Sequence, residues 1–260
     1  MSAPRTQPLP GGDTAARAAA KETIWRLAAA ALGHPAPELH RALASGTFHA
    51  ALNDAWIAVT GRGWPRRKPS ADFVALESGY IAAFLHGPKG KPLASLLAGD
   101  HERLLAGQAR PVFMLNIAAF YRHFGLQAAA TDEGRADEPD HLVGMLEFMA
   151  VLTHLEVQAL RRDSDPAAYR RAQRDFLRRY LGPLLHVVAD CLRGRAPETL
   201  DATIGHLIEE LPDWADLQAA ELEARVGRYR DPDAASTVPA ETAEGPGAAA
   251  TRVIDQNLWG

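Results

Sequence analysis

The feature that most constrains the fold is the long apolar stretch that follows Pro139. Proline suits the first turn of a helix, because its fixed φ is favourable there and its missing N–H costs no hydrogen bond. Asp137, Glu138 and Asp140 place carboxylates at the same end, where the helix dipole favours negative charge. Apolar residues then recur over a wide arc as far as Arg161. We therefore predict a mostly buried central helix with Pro139 at its first position.

The rest of the chain also shows apolar residues at helical spacing, in segments bounded by Gly and Pro. No segment alternates apolar and polar residues as a half-buried strand does, and no internal repeat is present. The sequence predicts an all-α fold, a single helical bundle. The further helices are expected over residues 14–32, 37–44, 48–59, 72–85, 111–124, 166–180, 184–192, 197–211 and 213–226.

Composition divides the chain into three parts. Residues 1–13 are rich in Pro and Gly and are predicted to be a flexible N-terminus without a secretory signal. Residues 14–230 are predicted to form the helical domain, since 260 residues that are 47% hydrophobic can bury one sizeable core. Residues 231–260 are rich in Pro, Ala and Gly, which predicts a flexible tail with a short apolar end.

The charge and the cysteine content indicate which classes of partner and which cellular compartment to expect. The net charge is −4, so no overall attraction to nucleic acid or to an anionic membrane is expected. Ile24-Trp25-Arg26-Leu27 and the alanines that follow are too short and too interrupted to span a bilayer, so no stable membrane insertion is expected. Cys191, the single cysteine, cannot form an internal disulfide and suits a reducing compartment. We expect a cytoplasmic protein.

The acids and the imidazole at the start of the central helix allow three interpretations. They are capping groups with an incidental histidine, a metal site, or a recognition surface for another chain. A metal site is disfavoured because no histidine lies four residues from His141 and no cysteine is near. The residues alone leave capping and recognition open.

Two segments resemble a known family. Glu138-Pro139-Asp140-His141, followed by Leu146-Glu147-Phe148-Met149, resembles the signature of the TorD/DmsD/NarJ family of redox-enzyme maturation chaperones. Further segments similar to this family are Tyr80, Phe84-Leu85-His86-Gly87-Pro88, Ser95-Leu96-Leu97 and Tyr121 to Leu126. The resemblance favours the recognition surface.

The resemblance implies a binding protein rather than an enzyme, with no cofactor and no metal of its own. Its members hold the apo catalytic subunit of a molybdenum enzyme of the dimethyl-sulfoxide-reductase type, often through a twin-arginine leader. Export is thereby delayed until the molybdenum cofactor is inserted. Partners would be that subunit and, as a second class, proteins of molybdenum-cofactor biosynthesis. The tail and the His86-Gly87-Pro88 loop favour clients that act on ethylbenzene, dimethyl sulfide, chlorate or selenate.

The resemblance also implies which residues bind the client. Carboxylates pair bidentately with arginine, and methionine adapts to varied apolar side chains. His141 would donate a hydrogen bond or make binding sensitive to pH. The predicted client-binding residues are Glu138, Pro139, Asp140, His141, Met145, Glu147, Tyr80, Phe84, Gly87, Pro88 and Leu97.

Two other function classes compete with this one. Asp140, Glu147 and His154 share one helical stripe and would be the acid/base or metal cluster of a helical enzyme. The second alternative is a helical subunit that stays in the mature oxidoreductase complex.

Overall fold

Helices make up the regular structure of the residues that the computed structural model describes, namely 14–87, 90–126 and 138–230. Within these ranges there is no β-strand, and the predicted all-α fold is confirmed. The α-helices are α1 (Ala15–Leu32), α2 (Pro37–Ser45), α3 (Thr47–Thr60), α4 (Phe73–Phe84), α5 (Glu102–Leu105), α6 (Arg110–His123), α7 (Leu142–Arg161), α8 (Ala167–Phe176), α9 (Gly182–Leu192) and α10 (Ala202–Val226). A 3-10 turn spans Ala98–Asp100, and a π-helical segment spans Leu177–Leu181.

The N-terminal helices begin and end at the residues that cap them. Thr14 Oγ1 accepts a hydrogen bond from the backbone N–H of Arg17 at 3.2 Å, and Asp72 caps α4 in the same way. Gly46 separates α2 from α3 with φ of 83°, a left-handed conformation that glycine adopts without strain. Short polar capping residues and glycines therefore determine where these helices begin and end.

The structure differs from the prediction at two prolines, Pro212 and Pro183. The helices expected over 197–211 and 213–226 form the single helix α10, which contains Pro212 and starts at Ala202 after the cap Asp201. The break expected at Gly182-Pro183 is instead a π-helical segment that leads directly into α9. A π-bulge moves the hydrogen-bond pattern by one residue, so a proline without an N–H can follow it.

The core is centred on α7, which packs along α1 more extensively than any other two described elements pack together. An aromatic cluster covers its first half, with the Phe148 ring 4.8 Å from the rings of both Phe176 and Tyr121. On the far side of α1, the Trp25 and Trp214 rings lie 4.3 Å apart and join α1 to α10. The prediction of a mostly buried central helix is confirmed.

By length and composition α7 is apolar enough to cross a membrane, but 61% of its most apolar window is buried inside the protein. This burial is what the core helix of a soluble protein shows. The described residues up to Tyr229 belong to one compact unit. The predicted N-terminal segment 1–13 and tail 231–260 lie outside the described residues, so the three-part division stays a prediction.

Candidate functional site

The central helix begins three residues later than predicted, because its first residues pair with another segment. Leu97 and His141 form an isolated antiparallel bridge. The N–H of Leu142 donates to the Leu96 carbonyl at 2.8 Å, and the N–H of Ala98 donates to the Asp140 carbonyl at 3.0 Å. Extended backbone at His141 therefore replaces the first helical turn, and Pro139 lies in a tight turn instead of at the first helical position.

Asp140 is fully buried beneath this bridge, with 0% of its surface exposed. Its Oδ2 accepts a hydrogen bond from the N–H of Gly99 at 2.7 Å, and its Oδ1 has no partner among the described residues. The expectation that Asp140 offers its charge directly to a client does not fit this geometry. Its carboxylate instead fixes the 98–100 turn against the start of α7.

Gly99 allows the turn to approach that carboxylate. A Cβ at this position would lie 2.7 Å from Asp140 Oδ2 and 2.6 Å from Arg110 Nε, closer than real Cβ contacts. Any side chain would therefore displace one of the two charged groups. Glycine is required here by close approach and not by backbone conformation.

Arg110, the first residue of α6, joins the 98–100 turn to the residues before α7 by ion pairs. Its guanidinium donates to Asp100 Oδ1 at 3.1 Å and also to Glu138 Oε2. All three side chains are partly exposed, at 36%, 38% and 44% for Arg110, Asp100 and Glu138. We call Asp100, Glu138 and Asp140 the acidic cluster.

Sequence reasoning missed Gly99, Asp100 and Arg110. Gly99-Asp100 lies one residue beyond the family-like segment Ser95-Leu96-Leu97, and this position was the available signal. Arg110 offered no local signal, because its partners are 10 and 28 positions away in the chain.

Tyr121 holds the turn at Pro139 from the other side. Its hydroxyl donates to the Pro139 carbonyl at 2.8 Å. Burial raises the pKa of Tyr121 far above its usual value, and the carboxylates of Asp140 and Glu147 raise it further. The phenol therefore stays protonated and remains a hydrogen-bond donor. Pro139 is half-buried and contributes shape to this turn.

His141 caps α7 through its ring. Its Nδ1 accepts a hydrogen bond from the backbone N–H of Val143 at 3.2 Å, which the imidazole can do only while Nδ1 carries no proton. The side chain is half-buried and also lines a surface cavity. Of the predicted site residues at the start of α7, Glu138 and His141 therefore reach the surface and Asp140 does not.

Three predicted groove residues belong to the core. Met145 is fully buried, and Tyr80 and Phe84 are each 3% exposed with their rings 5.0 Å apart. The Tyr80 hydroxyl donates to the Leu32 carbonyl at 3.1 Å, and burial raises its pKa to about 12. Neighbouring helices cover these side chains, so they support the groove wall and offer little surface to a client.

The Gly87 loop and Leu97 have local structural roles. The N–H of Gly87 donates to the Lys91 carbonyl at 2.8 Å, and a Cβ on Gly87 would lie 2.6 Å from that oxygen. Leu97 is half-buried within the bridge. Pro88 lies outside the described residues.

A groove runs between α1 and α7, beside the acidic cluster. It consists of a cavity of about 710 Å³ and a second of about 420 Å³, which share Gly33, His34, Val143 and Glu147 and therefore adjoin. We call the two together the α1–α7 groove. Its remaining lining residues are Glu22, Arg26, Ala29, Ala30, Tyr80, Leu85, Glu138, His141, Gly144, Ala150, Val151 and His154.

The two ends of this groove differ in charge. The cavity near the start of α7 is lined by Glu138 and Glu147, and also by His34 and His141. Glu147 and His34 also line the other cavity. At the other end Arg26 and His154 both lie near Glu22, with His154 Nδ1 3.2 Å from Glu22 Oε1. Small residues line the middle on both helices, which lets the backbone of a bound chain approach closely. The groove thus joins an acidic end to an apolar floor, the chemistry that a cationic and apolar peptide requires.

The predicted metal or acid/base cluster is not assembled. Asp140 is buried at Gly99, Glu147 is exposed in the groove, and His154 pairs with Glu22. Within residues 14–87, 90–126 and 138–230, no group of three or more His, Cys, Asp or Glu side chains is arranged to hold a metal ion. Asp140, Glu147 and His154 therefore do not form one site.

Comparison with known proteins identifies the family to which the chain belongs. The family described as nitrate reductase delta subunit matches residues 28–190. The dimethyl sulfide dehydrogenase assembly chaperone of Rhodovulum sulfidophilum is 53% identical over 260 residues, all of both chains. The perchlorate reductase assembly chaperone of Dechloromonas aromatica (strain RCB) is 34% identical over 62% of this chain and 73% of its own. The selenate reductase assembly chaperone of Thauera selenatis is 37% identical over 50% of this chain and 63% of its own.

No solved structure matches the chain. The family match covers more than half of the sequence and contains the bridge, the acidic cluster and most of the α1–α7 groove. The predicted family is confirmed: the chain belongs to the nitrate reductase delta subunit family, the TorD/DmsD/NarJ group of maturation chaperones.

Proposed function

We propose that this protein is an assembly chaperone for a molybdenum enzyme of the dimethyl-sulfoxide-reductase type. It binds the apo catalytic subunit, assists insertion of the molybdenum cofactor and delays export until assembly is complete. The observation that carries this proposal is the 53% identity, over the whole of both chains, with the dimethyl sulfide dehydrogenase assembly chaperone. The matched span includes the groove and the acidic cluster. The protein is therefore a binding protein and not an enzyme.

The client class follows from the same comparison. Three further relatives are named as assembly chaperones of perchlorate, selenate and chlorate reductases. The dimethyl sulfide dehydrogenase relative matches over its full length, whereas these match over 63–76% of theirs. The client of this chain is thus the catalytic subunit of an enzyme similar to dimethyl sulfide dehydrogenase.

The α1–α7 groove is the proposed binding site for the client's twin-arginine leader. Glu138 and Glu147 pair with the arginines, since a guanidinium and a carboxylate form two parallel hydrogen bonds. The apolar part of the leader lies along Val143 and Val151, which line the groove on α7. Asp140 acts indirectly, because it holds the 98–100 turn against the start of α7, next to Glu138.

The proposed location is the cytoplasm, because a chaperone that delays export acts before the client crosses the membrane. Proteins of molybdenum-cofactor biosynthesis are the proposed second partner class, since the cofactor must reach the client while the chaperone holds it.

The proposal is tested by co-expression with the catalytic subunit of dimethyl sulfide dehydrogenase, in cells that make the molybdenum cofactor and in cells that do not. We expect the two proteins to purify together when the cofactor is absent and to separate when it is present. Retention in both strains would favour a permanent subunit of the complex. Failure to bind in both strains would contradict the chaperone function. Stoichiometric iron, zinc or manganese in the purified protein would favour the metal-dependent enzyme instead.

The binding residues are tested by Glu138→Gln and Glu147→Gln in the same experiment. Each substitution removes a negative charge from the acidic end of the groove and keeps a similar shape, so retention of the client should decrease. Glu198→Gln is the matched control, because Glu198 is exposed and lies outside the groove. Equal retention by all three variants would contradict the assignment of the acidic end.

A further inference from the structure

Arg110 contacts the acidic cluster as an arginine of a bound client chain would. Its guanidinium donates to Asp100 at 3.1 Å and to Glu138. It also lies beside Asp140, because a Cβ at Gly99 would be within 2.6 Å of Arg110 Nε and 2.7 Å of Asp140 Oδ2. One guanidinium of the chain thus faces three carboxylates.

The cluster keeps a net negative charge even with Arg110 in place. Asp140 is fully buried, and among the described residues its Oδ1 accepts no hydrogen bond. Asp100 and Glu138 outnumber the one guanidinium that pairs with them, so a further cation is attracted to the surface of the cluster. That surface is formed by the partly exposed Glu138, which also lines the α1–α7 groove.

The contacts of Arg110 are of a kind that another guanidinium can replace. All three side chains of the Asp100–Arg110–Glu138 arrangement are more than one third exposed. Exposed ion pairs contribute little free energy because water screens them and the side chains lose freedom. A ligand that offers the same planar donor group can therefore take the place of Arg110 at Glu138 without disturbing the buried Asp140.

We infer that Arg110 is an internal competitor for the client's arginines, because it occupies at Glu138 the position that one arginine of the leader takes. The affinity for a leader is therefore lowered by the cost of displacing Arg110. The same cost applies to every ligand that uses Glu138, whether it carries one arginine or two. The second arginine of a pair adds a contact with Glu147. This inference rests on the proposed function, because it concerns the same leader site.

Calorimetric titration of the full chain tests the inference. The probes are a synthetic leader peptide of the dimethyl sulfide dehydrogenase catalytic subunit, and the same peptide with one arginine of its pair replaced by glutamine. In Arg110→Gln we expect Kd for the paired peptide to fall by about threefold to tenfold, a change of about 0.6–1.4 kcal/mol. Kd for the single-arginine peptide should fall by the same factor or a smaller one, because an arginine that binds at Glu147 gains nothing from the loss of Arg110.

Two variants serve as controls. Arg110→Lys keeps the positive charge but loses the planar donor group, so its Kd should lie between those of the wild type and Arg110→Gln. Arg41→Gln removes an exposed arginine that pairs with Glu38 and does not line the groove, and it should bind as the wild type does. Circular dichroism establishes that each variant keeps its helices.

The outcomes separate this inference from the function on which it rests. Weaker or unchanged binding by Arg110→Gln, next to measurable wild-type binding, would overturn the inference and leave the leader site intact. Binding of the paired peptide by no variant would overturn both. A larger factor for the single-arginine peptide than for the paired peptide would overturn the competition at Glu138, since the cost of displacing Arg110 cannot be greater for the peptide with fewer arginines.

Discussion

Two arginine–carboxylate arrangements in this molecule have similar chemistry and different surroundings. Arg170 donates to Glu156 at 2.8 Å between α8 and α7, where their side chains are 9% and 7% exposed. Gln173 donates to the other oxygen of Glu156, also at 2.8 Å. Arg110 makes comparable contacts with Asp100 and Glu138, but these side chains are 36–44% exposed.

The difference in exposure indicates that the buried arrangement stabilises the fold and that the exposed arrangement is available for binding. A buried pair costs much to disrupt, because the remaining partner is left as an uncompensated charge in the core. An exposed pair is held weakly, and water or a ligand can replace either partner. The Glu156 pair therefore joins helices permanently, whereas the Arg110 pair is suited to exchange with a client.

The largest expected effect is on the buried pair. Arg170→Met leaves Glu156 charged in the core, and we expect the free energy of unfolding to fall by about 3–5 kcal/mol. Urea unfolding followed by circular dichroism measures it. Arg110→Gln is the matched variant and should lose less than about 1 kcal/mol. Similar losses in both variants would remove the distinction between the two arrangements.

Gly99→Ala should have the next largest effect. Its Cβ would lie within 2.7 Å of both Arg110 Nε and Asp140 Oδ2, so the turn or both charged groups must move. Overpacking of this kind costs about 1–3 kcal/mol in the free energy of unfolding. Gly107→Ala is a comparison at a site with open space around the glycine, although its φ of 80° adds backbone strain. A loss at Gly99 below about 0.5 kcal/mol would show that the turn adapts easily.

Tyr121→Phe removes one hydrogen bond from the Pro139 carbonyl and keeps the ring in the aromatic cluster. The free energy of unfolding should fall by about 1 kcal/mol, the usual net contribution of such a bond. Client binding should weaken as well, because the turn carries Glu138. If stability falls while retention of the client is unchanged, the turn does not position the binding residues.

The smallest effect is expected at Glu223, whose exposure lies between those of the two arrangements. Hydrogen bonds from Arg178, at 3.1 and 3.0 Å, lower the pKa of Glu223 below its usual value. A lowered folded-state pKa stabilises the protein above the unfolded pKa of about 4.3, and this contribution is lost as pH falls through the folded value. The stability difference between wild type and Glu223→Gln should therefore be present at neutral pH and disappear in acid. A constant difference would contradict the assignment.

The sequence predicted those parts of the fold that depend on local chemistry. Thr14 and Asp72 cap the two helices that were predicted to begin at these residues, and the apolar arc of α7 is buried as its spacing indicated. The start of α7 was predicted wrongly, because pairing of residues 96–98 with 140–142 outweighs the preference of Pro139 for a first helical turn. Local propensity carries no information about such a distant partner.

The candidate site was predicted in part for the same reason. Glu138, His141 and Glu147 were expected at one surface, and all three line the second cavity of the groove. The burial of Asp140 depends on Gly99, 41 positions away, and the exposure of Glu138 depends on how Arg110 holds it. A carboxylate at a helix start looks the same in sequence whether it points outward or inward, so its role follows only from the folded chain.

Hydrogen exchange of the full chain, alone and with the apo catalytic subunit of dimethyl sulfide dehydrogenase, tests most directly where the client binds. Amide protection should increase in residues 138–151 and 22–34, which form the two walls of the α1–α7 groove. The segment around the buried Glu156–Arg170 pair should exchange equally in both samples. Protection that appears elsewhere, with residues 138–151 unchanged, would contradict the account.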